Sequence, residues 1–112
     1  MKLYKIFEEK NGKLYNLFHG MVAGDREVEI GVEYQNRDKM IRDGGNNRYY
    51  RSGIHAHYDV KFTKEWLKRF DSTNRHIYIC EGEVREDKAT SDGKVSLCDK
   101  ITILHKYEME NN

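Results

Sequence analysis

At 112 residues the chain has room for one domain with its own hydrophobic core and none for a second. Apolar residues make up 38% and charged residues 35%, a folded rather than disordered composition whose modest core is completed by eight Tyr, four Phe and one Trp. Twenty basic against nineteen acidic residues leave a formal net charge of +1, which excludes a general attraction to duplex nucleic acid, and no apolar run nears the roughly 20 residues that cross a bilayer.

From Lys2 to Glu8, Leu3, Lys5 and Phe7 alternate with Tyr4, Ile6 and Glu8, which predicts a strand covered on both faces for part of its length. Asn11-Gly12 tolerates the positive φ angles of a tight turn, so Lys13 to Phe18 is expected to return as the second strand of a hairpin. Val28, Ile30, Val32 and Tyr34 alternate with Glu27, Glu29, Gly31 and Glu33, predicting one strand with a dry and a wet face at a sheet edge. Such an edge would let two copies pair, although its glutamates oppose that association. From Gln35 to Asn47 the apolar period lapses. Asp43-Gly44-Gly45-Asn46-Asn47 reads as a turn, with Met40-Ile41 as a short anchor.

Gly53 to Phe62 resumes a strand pattern, after which the spacing becomes helical over Thr63 to Phe70. Thr63 is the expected N-cap, Phe62 packs on Leu67, Trp66, Leu67 and Phe70 form the buried stripe, and Asp71 to Asn74 ends the helix. Arg75 to Arg85 predicts a central strand, Glu86 to Gly93 a polar loop, and Lys94 to Tyr107 a last long strand with Val95, Leu97, Ile101 and Ile103 in one register. Asp99 falls on that register, so it is either turned outward by a bulge or buried against a partner. Residues 1–107 thus form one α+β domain, a mostly antiparallel sheet of about five to six strands with a helix (63–70) on one face, and 108–112 a frayed tail. Cys80 and Cys98 lie inside strands, which suits reduced core thiols in a cytoplasm.

Positive charge concentrates between Gln35 and Ser52, where Arg37, Lys39, Arg42, Arg48 and Arg51 face only Asp38 and Asp43, a local charge of +3. Arg48 and Arg51 flank Tyr49 and Tyr50, and guanidinium groups beside aromatic rings supply the charge pairing and stacking that a phosphorylated or nucleotide ligand needs. His55, His57 and Asp59 would project from one strand face about 7 Å apart, with His55 and His57 lining the floor of that site and His19 as a further candidate. The two histidines also offer a metal platform if His19 or His105 supplies a third ligand. No nucleophile elbow, phosphate-binding glycine loop or dinucleotide fingerprint is present, so no catalytic residue and no cofactor is assigned.

Leu17-Phe18-His19-Gly20, Tyr50-Arg51-Ser52-Gly53-Ile54-His55, the segment with Trp66 and Phe70, and Cys98-Asp99-Lys100-Ile101-Thr102-Ile103-Leu104 together resemble small uncharacterised proteins of phages and bacterial mobile elements. The resemblance implies a compact accessory protein in the host cytoplasm, one that interferes with a host process by binding a small anion or a host protein. His19-Gly20 and Gly53-Ile54-His55 are also similar to elements of ADP-ribosyltransferases, which implies an NAD-binding alternative using His19 and Tyr50 with Glu81 or Glu83 as the acid. Where that family places its late glutamate, this chain has Ser91-Asp92-Gly93-Lys94.

Overall fold

A computed structural model of the chain describes residues 1–17, 27–36, 40–42, 49–51, 53–69, 73–90 and 93–108. Apolar alternation gives β1 (Lys2–Lys10), and Asn11 and Gly12, at φ 53° and 78°, turn it tightly into β2 (Lys13–Asn16), as the Asn-Gly pair predicts. The expected strand over residues 27–34 is interrupted. β3 (Glu27–Val28) and β4 (Glu33–Gln35) are separate, because Gly31 takes φ 85° and turns the chain between them.

β8 (Arg75–Thr90) and β9 (Gly93–Lys106) form a hairpin much longer than predicted. Glu86 to Thr90, expected in a loop, continue β8, because strand pairing through the backbone accommodates polar side chains that meet water. The remaining strand of the main sheet, β7 (Ile54–Ala56), pairs with β9 at residues 96–98, next to β4 at residues 100–102. Among the described residues the main sheet therefore has seven strands, in the order β3-β2-β1-β8-β9-β4 with β7 also on β9, and all its pairs are antiparallel. A mostly antiparallel sheet with one short helix is thus the architecture.

Two short connections force this sheet to curl. β3 and β4 lie at opposite ends of the strand order, yet only residues 29–32 join them, a reach of at most about 18 Å. The Gly31 N–H donates to the Ile103 carbonyl at 2.8 Å, tying this link to β9. Beyond β7, His57 exchanges two backbone bonds with Tyr4 of β1, at 2.8 and 2.9 Å. β1, β8, β9 and the continuation of β7 consequently make a circuit of backbone pairing, and the sheet is a half-barrel.

In the core Leu3, Phe7, Cys80, Cys98 and Ile103 are fully buried, and the Phe7 and Tyr78 rings meet edge to face at 5.7 Å. Complete burial of a side chain such as Phe7 contributes about 1.5–3 kcal/mol. Both thiols are free, as expected, and burial pushes them up to about 12 for Cys80 and about 11 for Cys98.

The sequence leaves Asp99 with two possible fates, and the structure combines them. Glu83 pairs with Lys100, Val84 with Cys98 and Glu86 with Leu97, so the register skips Asp99 on β9 and Arg85 on β8. The skipped residues bond to each other, Arg85 Nη1 donating to Asp99 Oδ1 at 2.9 Å. The bulge also reverses the faces of β9: Cys98, Ile101 and Ile103 share the core, while Val95 and Leu97, predicted in register with Ile101, lie on the other face.

The helix begins earlier than predicted, as α1 (Val60–Leu67). Asp59 caps it, its Oδ1 accepting from the Lys61 N–H at 2.9 Å, so Thr63 is an interior residue with no exposed surface. With the cap at Asp59, Phe62 lies inside the helix rather than before it, 43% exposed and with its ring 6.5 Å from that of His57. Phe70 lies outside the described residues. α1 packs against β1 and β8.

Candidate functional site

The basic segment is not wholly a loop. β5 (Met40–Arg42) and β6 (Tyr49–Arg51) pair as a two-stranded ribbon separate from the main sheet, because apolar and aromatic pairs, Met40-Ile41 and Tyr49-Tyr50, favour strand on either side of residues 43–48. Its register sets Arg42 opposite Tyr49, Ile41 opposite Tyr50 and Met40 opposite Arg51. Arg48 and His19 lie outside the described residues, while Tyr49, Tyr50 and Arg51 are placed by backbone. Gly53 immediately precedes β7. A Cβ on Gly53 would fall 2.6 Å from the Leu97 Cβ and 3.1 Å from its Cα, so glycine permits the close approach that seats this junction on β9.

Along β7, Ile54 and Ala56 are buried in the core and His55 is exposed. His57 is half-buried beyond the strand end, its Nδ1 3.3 Å from the Thr63 hydroxyl. Water reaches His55, yet surrounding protein desolvates the ring, and this, with the charges of Lys5 and Lys88, brings its pKa down to about 4. Desolvation and then Lys5 lower His57 in the same direction. Both rings are uncharged at neutral pH and offer hydrogen bonds rather than charge.

Asp59 does not extend this row, because it turns away to cap α1. Among the described residues no three His, Cys, Asp or Glu side chains converge as metal ligands. His105 pairs with Ile79, eight positions along β9 from Leu97, the partner of His55, which puts it about 25 Å up the strand. Of the carboxylates considered for an enzyme, Glu81 bonds the Met1 amino group, and both Glu81 and Glu83 are exposed.

The sequence reading passes over Lys5. It lies between Leu3 and Phe7 on the register that faces the core, and its Nζ donates to the His55 carbonyl at 2.6 Å, linking β1 to β7. Burial brings this amine down to about 8 against partial opposition from the Cys80 and Cys98 thiols. A lone lysine in an otherwise apolar alternation was the available signal.

Comparison with protein-family models, curated proteins and solved structures gives no match to this chain. The fold therefore defines the class by itself: a small α+β half-barrel bearing a separate two-stranded ribbon. Among the described residues no helix is long and apolar enough to cross a membrane.

Proposed function

We propose that this chain is a small non-catalytic binding protein that takes a phosphorylated or nucleotide ligand where the β5–β6 ribbon runs into β7. The observation that carries the reading is the ribbon itself. It stands apart from the main sheet, pairs Arg42 with Tyr49 and ends at Arg51, with two residues between it and the strand that exposes His55. Arginine forks bind phosphate oxygens in pairs, tyrosine stacks on a base, and an uncharged imidazole can donate or accept without repelling the arginines. The local charge of +3 within a nearly neutral chain supports a confined anion site over a general polyanion surface. An accessory, host-interference role of the phage type is the biological setting that this reading favours.

A thermal-shift screen of nucleotides, cyclic nucleotides and inorganic phosphate tests it. A nucleotide should raise the melting temperature of the native chain, and Arg48→Ala combined with Arg51→Ala should remove that rise while the apo protein still melts cooperatively. A rise that survives both substitutions would reject the site.

A further inference from the structure

The apolar row Val28, Ile30, Val32 and Tyr34 is only half used by the fold. Val28 is buried and Tyr34 packs against the core, but Val32 is 39% exposed and Ile30 is 53% exposed. Between these two, Gly31 at φ 85° holds the third position of a turn over residues 29–32, where glycine sits without strain, and the Val32 N–H returns to the Glu29 carbonyl at 3.5 Å. The Tyr34 hydroxyl accepts from the Glu29 N–H at 2.8 Å, so the turn is braced by β4. Leu104, 42% exposed, borders the same turn, because it follows Ile103, whose carbonyl accepts from the Gly31 N–H.

β4 also ends the strand order, and among the described residues no strand pairs with its outer side. The Asn36 N–H donates to the Asp99 carbonyl at 2.7 Å, so the alternation of an antiparallel pair turns the backbone of Tyr34 toward Ile101 and that of Glu33 and Gln35 outward. Both outward residues are exposed. Unpaired N–H and C=O groups along an edge are a template for one more strand. The charge along this stretch has one sign: residues 27–36 hold Glu27, Glu29 and Glu33 and no lysine or arginine. Lys13 pairs with Glu27 at 3.6 Å, while Glu29 and Glu33 are exposed. A second copy would set these glutamates against themselves, and like charges on facing strands repel. A segment that alternates apolar and basic residues fits instead, its apolar side chains continuing the row of Val32 and Tyr34 and its cations lying beside Glu33.

We propose that the outer edge of β4, with the turn at residues 29–32, is a docking site for an extended segment of another protein, one that alternates lysine or arginine with valine, isoleucine or leucine. The segment adds to the sheet as a further strand. It bonds through its backbone to Glu33 and Gln35, covers Val32 and Ile30, and places its cations against Glu29 and Glu33. The anion site at the ribbon plays no part in this docking.

The synthetic peptide acetyl-Lys-Val-Lys-Ile-Lys-Val-Lys-amide, titrated into the native chain and followed by amide hydrogen exchange, tests the proposal. Saturating peptide should slow exchange of the Glu33 and Gln35 amides at least about tenfold and leave the Tyr34 amide, already paired with Ile101, unchanged. Gln35→Pro removes an outward N–H without touching a bond to β9, and Glu33→Lys reverses a charge; each should weaken the peptide at least about tenfold while the variant still melts cooperatively. The same residues in blocks, as acetyl-Lys-Lys-Lys-Lys-Val-Val-Ile-amide, should also bind at least about tenfold more weakly, since they cannot alternate along a strand. No binding at about 1 mM peptide, equal binding of the block peptide, or an affinity that survives both substitutions would overturn the proposal. So would protection of the Glu33 and Gln35 amides that grows with protein concentration in the absence of peptide, since a second copy would then hold the edge.

Discussion

In the unfolded chain Lys5 keeps its proton up to its ordinary value of 10.5, while in the folded protein it gives the proton up at about 8. Between those values the unfolded state binds more protons, so folding stability rises with pH across that window, and below it the whole cost of holding a charged amine in the half-barrel applies. Urea unfolding over pH 7–10.5 should show the native chain gaining on the order of 1–3 kcal/mol relative to Lys5→Met, a figure reduced for the water that reaches the amine. A native-minus-variant difference that stays flat with pH would remove Lys5 from this role. Alternation in the sequence places Lys5 beside Leu3 and Phe7, but it cannot say whether a lysine there snorkels to water or reaches across an interior. The His55 carbonyl that receives it belongs to a strand 50 residues away.

At the scale of elements, β9 shows how a local pattern can be read correctly and still place residues wrongly. Val95, Leu97, Ile101 and Ile103 do alternate, and all four are buried, but the bulge at Asp99 sends the first two to one face and the last two to the other. That bulge is pinned by Arg85 on the neighbouring strand. Asp99→Asn should weaken the pin and lower stability by about 1–2 kcal/mol in urea unfolding, the usual loss for a charge-assisted bond in a partly buried position. An unchanged midpoint would mean that the backbone irregularity holds the face reversal without the ion pair. The helix start is a similar case, since Asp59 and Thr63 are both good capping residues. The approach of β7 to β1 decides between them by fixing where the chain leaves the sheet.

For the whole molecule, the curl depends on the contact of His57 with Tyr4 and on the short link between β3 and β4. Hydrogen exchange should therefore find the Tyr4 and His57 amides protected to within about tenfold of the amides that join β1 to β8, because opening the seam would unroll the sheet that buries Phe7 and Cys98. Exchange at the rate of an exposed loop would describe an open sheet instead.

The sequence by itself determined the elements whose causes are local. The Asn11-Gly12 turn, the two free thiols, the short helix near Thr63 and the antiparallel bias all follow from nearby residue types and their spacing. Tertiary structure alone decided the half-barrel, the reversal of faces at Asp99, the separation of the β5–β6 ribbon from the main sheet and the link from Lys5 to β7. Apart from the ribbon, whose strands pair across residues 43–48, these rest on a partner further along the chain: β1 meets His57, Arg85 meets Asp99, and Lys5 meets the His55 carbonyl. Periodicity records which residues avoid water, but the strand that excludes the water is chosen only when the sheet closes on itself.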